Sequence, residues 1–470
     1  MNVIRKRPLF YKRKRSNIYR VFLLLIVVIA GGWLVTRLDT GAIRNPFEAT
    51  PTATRTSRSL ALEGEAFFEA GYLEAAITAY NQAAEQDPNN AQLWAELARI
   101  QVYSSNLLTT DGQRKTRLEE ALYSIDQAVV LAPDNSTVHA IRAFVLDWSA
   151  NPALAGPEAG ALLLEAELEA VRALQIDPQN VLAQAFFAEI LVDQQKWSQA
   201  EVIIVQAVAR DATIMDVHRV YAYVLESTGR YRQAIEEYER AIEINPNLTF
   251  LYIAVGKNYR TLASRSDIPS QRNELYESAL EYFARAANLN DQLGIQDPLP
   301  YLAITNTYRQ KGEFFAASQN ALKALSFDPA NPDIYGQLGL VYRDARNFET
   351  AIFALKCAVR GCTPEESCEA RNGCGEGETG VQVTGLALSP GTVVYYYTYG
   401  SLLAALSRSD QNYCPDAVGV LTEVQTAYGA DATIAAIVDA GLQICASLEE
   451  SLLSTPTPVF TPTPLPTPRQ

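Results

Sequence analysis

Alanine recurs in register along most of this chain, and its spacing limits the fold more than any other feature. Eight alanines follow one another at intervals of 34, 38 or 45 residues, and a second alanine stands seven residues after each. The pairs are Ala76 and Ala83, Ala121 and Ala128, Ala166 and Ala173, Ala200 and Ala207, Ala234 and Ala241, Ala279 and Ala286, Ala317 and Ala324, and Ala351 and Ala358. Residues seven apart share one helical face, where small side chains let another helix approach closely. The register predicts repeated helical units that stack on one another.

Aromatic residues and proline turns recur in step with the alanines. The aromatic residues at the matching point of the first helix are Trp94, Tyr252, Tyr301 and Tyr335. The turns are Asp87-Pro88, Asp177-Pro178, Asn245-Pro246 and Asp328-Pro329. Because the residue before a proline avoids helical geometry, each turn marks the end of a helical unit.

The fifth unit, residues 218–247, resembles the tetratricopeptide repeat (TPR), a helix-turn-helix of 34 residues. The matching residues are Ala222, Gly229, Tyr231, Ala234, Tyr238, Ala241 and Pro246. The resemblance implies an all-α, right-handed superhelical solenoid of eight to nine repeats. A degenerate ninth repeat is expected over residues 392–428, followed by a capping helix over residues 431–450. The resemblance also implies a concave face, lined by first helices, that binds proteins or peptides.

An apolar segment near the N-terminus predicts a membrane helix. The first 37 residues carry nine basic side chains and no acidic one, and residues 21–35 are uncharged. Basic residues ahead of such a segment place the N-terminus in the cytoplasm, and flanking residues extend a span shorter than about 20 residues. The alternative is a cleaved signal peptide, with Val28 and Ala30 before the cut. Both alternatives place the body outside the cytoplasm of a bacterium, anchored in one case and secreted in the other.

Charge limits the class of partner, and composition predicts the boundaries of the remaining segments. Beyond residue 37 the chain has 30 basic and 53 acidic side chains, a net charge of −23, which argues against nucleic acid as a partner. The predicted segments are a basic cytoplasmic N-terminus (1–20), a transmembrane signal-anchor (21–36), a Thr/Pro/Ser-rich linker (37–58), TPR repeats 1–8 (59–360), a Cys/Gly-rich insertion (361–391), repeat 9 with its cap (392–450) and a Thr/Pro-rich tail (451–470).

Three repeats contain insertions of one common length. In repeats 2, 3 and 6 the small residue of the first helix stands 23 residues before that of the second, where a regular repeat has 12. Eleven residues make close to three helical turns, so the helices can lengthen along one edge of the solenoid. A polar surface loop is the alternative, and the sequence is compatible with some of each.

All six cysteines lie after residue 356, on the exported side of the membrane segment, where an even number favours disulfides. Cys414 begins the second helix of repeat 9 and Cys445 ends the capping helix, so these two are expected to pair. The remaining four are expected to pair among themselves in a connectivity that the sequence leaves open: Cys357, Cys362, Cys368 and Cys374. Zinc is the weaker interpretation, because structural zinc sites use closer cysteine pairs.

No catalytic motif, cofactor site or metal site is predicted. The only two histidines, His139 and His218, fall where Trp94 and Tyr252 stand in other repeats, so a packing role is favoured over metal binding or general-base catalysis. The sequence has neither a Gly-rich phosphate loop nor a nucleophile elbow, and no small-molecule substrate is expected.

A basic ladder on the first helices of repeats 6 to 8 is the candidate binding site. Its residues are Lys257, Arg260, Asn306, Arg309 and Arg343. In an acidic body these cations predict an acidic peptide or a C-terminal carboxylate as ligand. The alternative is that each arginine pairs with a local acid such as Glu313 or Asp344. We therefore expect a non-enzymatic scaffold at the cell envelope; the alternatives are an enzyme subunit with a site at the Cys-rich insertion, or a passive cell-surface protein.

Overall fold

The computed structural model describes residues 17–39, 55–374 and 379–453. The chain forms two compact units, the first ending at Arg55 and the second beginning at Thr56. The predicted tail from residue 454, the spacer over residues 40–54 and the basic segment over residues 1–16 lie outside the described residues.

The first unit contains helix α1, Ile18–Asp39. Its segment Ile18–Arg37 has a mean hydropathy of 2.4 and no buried residue, and it is long and apolar enough to cross a membrane. The final helix of the described residues also meets this criterion over Ala432–Leu452, with a mean hydropathy of 1.4. Membrane spans, signal sequences and the core helices of globular domains share this length and composition.

The second unit is built from helices. In chain order they are α2 (Ser57–Glu69), α3 (Leu73–Gln86), α4 (Ala91–Ser105), α5 (Asp111–Leu131), α6 (Ser136–Ser149), α7 (Pro152–Ala155), α8 (Ala159–Ile176), α9 (Val181–Asp193), α10 (Trp197–Arg210), α11 (Met215–Ser227), α12 (Tyr231–Ile244), α13 (Thr249–Arg265), α14 (Pro269–Leu293), α15 (Leu299–Lys311), α16 (Phe314–Phe327), α17 (Pro332–Asp344), α18 (Phe348–Val359), α19 (Pro364–Ala370), α20 (Val393–Leu406), α21 (Cys414–Tyr428) and α22 (Ala432–Leu453). A 3-10 turn, Gly156–Glu158, joins α7 to α8, and an isolated antiparallel bridge joins Cys362 to Val383.

The helices pack as consecutive helix-turn-helix pairs. The pairs are α2 with α3, α4 with α5, α6 with α8, α9 with α10, α11 with α12, α13 with α14, α15 with α16, α17 with α18, and α20 with α21. Helix α22 packs on both α20 and α21. The predicted all-α solenoid of helix-turn-helix repeats is thus confirmed, and α22 covers the last repeat.

The registered alanines explain why the pairs form. All sixteen are 0% exposed, so each methyl group fills a contact where two helices approach. Glycine serves the same purpose in some first helices, because a Cβ at Gly64 would overlap Tyr80 and a Cβ at Gly339 would overlap Leu355. Bulky and small side chains therefore interlock across each pair, and this contact fixes the distance between the two helices.

Asparagines in the turns begin several first helices. The side chain of Asn90 accepts a hydrogen bond from the backbone of Gln92, and those of Asn135, Asn180 and Asn331 cap α6, α9 and α17 in the same way. Such caps satisfy backbone donors that have no partner within the helix. Proline stops one helix and asparagine starts the next within three residues.

The insertions lengthen the second helix of a repeat more than the first. In repeats 2 and 6 the second helices α5 and α14 have 21 and 25 residues, against 14 in the regular repeat 5. In repeat 3 the added residues form the short helix α7 and the 3-10 turn instead. Helix lengthening and short loops, over residues 106–110 and 266–268, thus occur together in repeats 2 and 6, whereas repeat 3 forms short helical turns.

First helices of distant repeats meet in the interior of the second unit. The ring of Tyr103 in repeat 2 stacks on that of Phe250 in repeat 6, with centroids 5.2 Å apart. Arg99 in repeat 2 forms an ion pair of 3.1 Å with Asp216 in repeat 5. The surface lined by first helices is therefore partly filled by the chain itself, and cavities remain between these contacts.

Candidate functional site

Three residues of the predicted ladder line one cavity in this interior. Lys257 and Arg260 on α13, with Asn306 on α15, border a cavity of about 380 Å³. Arg114, which follows the start of the lengthened helix α5, lies in the same wall. We call this space the basic cavity.

The two α13 cations lack an acidic partner among the described residues. Burial lowers the pKa of Lys257, and the positive charges of Arg260 and Arg114 lower it further, against the opposing effect of Glu226. The side chain of Lys257 is nevertheless exposed to solvent where it borders the basic cavity, so water partly screens its charge. The lowered pKa indicates that the surroundings of Lys257 favour its charged form less than water does.

Arg260 is held by contacts that leave its charge uncompensated. Its Nη1 donates a hydrogen bond of 3.2 Å to the carbonyl oxygen of Ala303, and its guanidinium lies 5.7 Å from the ring centre of Phe283. Burial lowers the pKa of Arg260 and nearby Arg309 lowers it further, while Tyr276 opposes them. These neutral contacts fix the orientation of the guanidinium and leave its charge available for an anion.

Asn306 is fixed by hydrogen bonds that connect repeats 7, 8 and 9. Its Nδ2 donates to Oε1 of Gln337 at 3.0 Å, and Nε2 of Gln337 donates to Oδ2 of Asp333 at 2.8 Å. The hydroxyl of Tyr395 donates to Oδ1 of the same carboxylate at 2.8 Å. Asn306 therefore has a defined orientation at the edge of the basic cavity.

Arg309 and Arg343 are arranged differently, because both pair with one acid. The Nη2 atom of Arg343 lies 2.7 Å from Asp344 Oδ1, and Nε of Arg309 lies 3.4 Å from Asp344 Oδ2. Glu313 pairs instead with Lys311 at 2.8 Å. The local-acid alternative thus describes Arg309 and Arg343, and the ladder divides into two paired arginines and the group at the basic cavity.

Sequence reasoning missed Arg114. Its Nη1 lies 3.2 Å from Asp111 and its Nε donates to the carbonyl oxygen of Leu108, so its position depends on the turn before α5. This turn reaches repeat 8, where Thr109 is hydrogen-bonded to Asn331. No local pattern marks Arg114, because its place in the cavity depends on how six repeats stack.

The two histidines make the contacts of their aromatic counterparts. Nε2 of His139 lies 2.8 Å from the carbonyl oxygen of Pro133, and Nε2 of His218 lies 3.0 Å from that of Ala212. Their Nδ1 atoms face Glu169 and Glu237 at 2.6 and 2.7 Å. Both rings thus connect a turn to a second helix.

The six cysteines form three disulfides in the structure. Cys357 joins Cys362, Cys368 joins Cys374, and Cys414 joins Cys445. The last bond links the start of α21 to α22, across 31 residues. It holds the terminal helix on the final repeat.

Comparison with protein-family models agrees with the helix pairing. A model described as TPR repeat matches residues 64–102, and one described as tetratricopeptide repeat matches residues 216–248. Both matched segments lie in helices that belong to the helix-turn-helix pairs. The chain therefore contains tetratricopeptide repeats. TPR repeats in general serve as protein-interaction modules. The repeats of this chain therefore form a protein-interaction scaffold in this general sense.

One solved structure, of human IFIT1, has a similar fold. A monomeric mutant of human IFIT1, solved with m7Gppp-AAAA, matches 84% of this chain and 91% of its own with 15% identity and a TM-score of 0.50. The TPR protein TTC0263 of Thermus thermophilus matches 43% of this chain and 98% of its own, with 17% identity and a TM-score of 0.36. Comparison of the sequence with curated proteins finds no match.

Proposed function

We propose that this TPR protein is a non-enzymatic scaffold on the outer side of a bacterial cytoplasmic membrane, and that it binds a carboxylate-bearing peptide segment in the basic cavity. The observation that carries the proposal is the pair Lys257 and Arg260, two cations without an acidic partner among the described residues. Glu226 and Asp333 also line the basic cavity, but Asp333 is hydrogen-bonded to Gln337 and Tyr395. Among the described residues neither carboxylate forms an ion pair with Lys257 or Arg260, although the charge of Glu226 acts on Lys257.

A carboxylate ligand would relieve the electrostatic cost of this arrangement. Burying a cation is unfavourable unless an anion or hydrogen bonds compensate it, and charge-assisted hydrogen bonds are roughly twice as strong as neutral ones. Arg260 is oriented by Ala303 and Phe283, so little side-chain freedom is lost on binding. A cavity of about 380 Å³ accommodates a chain end or one acidic side chain with its neighbours.

The location rests on the N-terminal segment and the cysteines. Helix α1 is apolar and exposed along its length, and the basic residues that precede it favour an N-terminus inside the cell. Three disulfides in the second unit suit an oxidising compartment. We therefore place the TPR body outside the membrane, anchored by α1 or secreted if α1 is cleaved.

Peptide binding to the full-length protein in lipid nanodiscs tests the proposal. Fluorescent hexapeptides would be compared in three forms: with a free C-terminal carboxylate, with an amide end, and with an amide end plus an internal glutamate. We expect either carboxylate form to bind at least about tenfold more tightly than the plain amide. Equal affinity for all three forms would contradict the proposal.

Two variants connect the affinity to the cavity. Arg260→Gln removes an unpaired cation, so we expect it to weaken carboxylate binding by about tenfold or more. Arg343→Gln is the matched control, because Asp344 already pairs with Arg343 outside the cavity lining. A larger loss in Arg343→Gln than in Arg260→Gln would move the site away from the basic cavity.

A further inference from the structure

A second interior cavity, of about 680 Å³, carries the opposite charge. First helices α6, α9 and α11 contribute Asp147, Glu189, Asp193 and Arg219 to its wall. The walls also include aromatic side chains, namely Trp148, Tyr223, Tyr238 and Phe250. We call this space the acidic cavity.

Asp147 is the most unusual residue of this cavity. It is 3% exposed, and neither carboxylate oxygen has a hydrogen-bond partner among the described residues. Burial raises the pKa of Asp147 well above its ordinary value, and Asp193 and Glu189 raise it further, against the opposing effect of Arg219. A buried carboxylate without partners costs free energy in the folded chain, so its retention calls for a compensating group.

The nearby arginine does not supply that compensation. Arg219 binds Glu189 through two parallel hydrogen bonds, Nη1 to Oε1 at 2.8 Å and Nη2 to Oε2 at 2.6 Å. Trp148 Nε1 donates to the same carboxylate at 3.1 Å. Nε of Arg219 has no hydrogen-bond partner among the described residues, but the bidentate pair already matches the charge of Arg219 with that of Glu189.

Asp193 is the second carboxylate without a cationic partner among the described residues. It is exposed to solvent at the wall of the cavity and accepts a hydrogen bond of 2.5 Å from the hydroxyl of Tyr223. Burial raises the pKa of Asp193 to about 6, and Glu189 also raises it, while the bond from Tyr223 opposes them. The cavity therefore contains three carboxylates, Asp147, Glu189 and Asp193, and one matched cation.

We infer that the acidic cavity binds a primary ammonium group, which pairs with Asp193, is attracted by the buried charge of Asp147, and is flanked by the rings of Trp148 and Tyr223. The aromatic wall selects an organic cation, since a ring face attracts an ammonium by about 0.5 to 2 kcal/mol. A bare metal ion fits less well. Among the described residues no three potential ligands come together at metal-binding distance, and hard cations require several oxygen ligands.

The ammonium group has two sources, a free alkylamine or a lysine side chain of a partner. The acidic and basic cavities share wall residues, namely Asn106, Tyr223, Tyr238, Phe250 and Ala254. A partner segment that carries both charges can therefore reach both cavities. The ammonium site stands on Asp147 and its surroundings alone, so it holds even if the basic cavity binds nothing.

Calorimetric titration of the full-length protein in nanodiscs at pH 8 tests the inference. The ligands are pentylammonium and the peptide acetyl-Gly-Lys-Gly-amide, with pentanol and acetyl-Gly-norleucyl-Gly-amide as uncharged controls. We expect at least one cation to bind and both controls to fail. Binding of pentylammonium alone assigns the site to free amines, and binding of the peptide alone assigns it to a partner chain. Absence of binding by both cations overturns the inference.

Substitutions localise the binding. Asp147→Asn keeps the shape and removes the charge, so we expect affinity to fall by about tenfold or more. Its melting temperature should not fall, because an unpaired buried charge is removed, and this result separates lost binding from misfolding. Asp193→Asn is a second test of the ammonium site. The charge-matched control is Glu236→Gln, at an exposed position on α12. Unchanged affinity in both aspartate variants would overturn the assignment.

Discussion

One side-chain contact recurs at the start of the first helices. A ring or amide group there reaches the carbonyl oxygen six residues earlier, within the preceding turn. The pairs are Trp94 with Pro88, His139 with Pro133, Gln184 with Pro178, His218 with Ala212, Tyr252 with Pro246 and Tyr335 with Pro329. Chemically different side chains can occupy this position, because each places a hydrogen-bond donor within reach of that carbonyl oxygen.

Substitution of His218 tests whether donor geometry is what the position needs. Gln184 makes this contact in repeat 4, so His218→Gln should retain most of the stability. His218→Leu leaves the carbonyl of Ala212 and the carboxylate of Glu237 each without this hydrogen bond, and we expect a loss of about 1 to 3 kcal/mol. Denaturant unfolding of both variants measures the difference. Equal losses would show that the ring itself is required.

The pH dependence of stability tests the acidic cavity without any ligand. The folded-state pKa of Asp193, about 6, exceeds the ordinary value of about 4. The folded chain then binds more protons than the unfolded chain between these pH values, so this residue's contribution to stability falls as pH rises from about 4 to 6. The same cavity is also lined by other titratable and charged side chains, namely Asp147, Glu189, Arg219 and Tyr223. These residues are unchanged in the variant Asp193→Asn.

In Asp193→Asn this contribution is absent. The melting temperature of the variant minus that of the wild type should therefore increase from pH 4 to 6 and level off above. Thermal unfolding at several pH values measures it. A difference that does not change with pH would show that Asp193 titrates normally.

At the scale of helices, close contact between small and bulky residues sets the packing of each repeat. In α13 a Cβ on Gly256 would overlap the ring of Phe283, whereas a Cβ on Gly419 in α21 would have no neighbour within 4 Å. Alanine at both positions gains about 1 kcal/mol of helix propensity. Only at Gly256 does the added methyl group also overpack a helix contact.

The two glycine variants should therefore change stability in opposite directions. We expect Gly256→Ala to lose about 1 to 3 kcal/mol through overpacking and Gly419→Ala to gain about 0.5 to 1 kcal/mol. Denaturant unfolding of the two proteins side by side checks the signs. Stabilisation by both substitutions would mean that the ring of Phe283 moves at little cost to make room for the added methyl group.

The disulfide between Cys414 and Cys445 fastens the terminal helix. Replacing both cysteines by alanine should cost about 2 to 4 kcal/mol and speed hydrogen exchange in α22. The matched control replaces Cys368 and Cys374, which close a loop of 6 residues instead of 31. Loop-closure entropy makes the control effect about 1 to 1.5 kcal/mol smaller. A larger effect in the control would contradict this role.

The sequence predicts the helix pairs well, because the contacts that form them lie within one repeat. The alanine register predicts each helix pair, because both partners of the contact lie within one repeat. The insertions were less predictable, since 11 residues suit either a longer helix or a loop, and only packing on neighbouring repeats separates the two. In repeat 2 that packing lengthens α5, and in repeat 3 it produces α7.

At the scale of the whole TPR body, contacts between distant repeats decide where the sites lie. Asn247 in repeat 5 donates a hydrogen bond to the carbonyl of Glu69 in repeat 1, and Arg99 pairs with Asp216. The position of Lys257 on a first helix predicts that it faces inward. That Arg114 comes to lie beside it depends on small rotations accumulated over several repeats, which no single repeat records.

A double-mutant cycle tests whether the cations Arg260 and Lys257 bind a carboxylate. The four affinities are those of wild type and Arg260→Gln, each with a C-terminal carboxylate peptide and its amide, measured on the full-length protein in nanodiscs. We expect a coupling of about tenfold or more, because each change alone removes the same interaction. Additive effects of the two changes would contradict it.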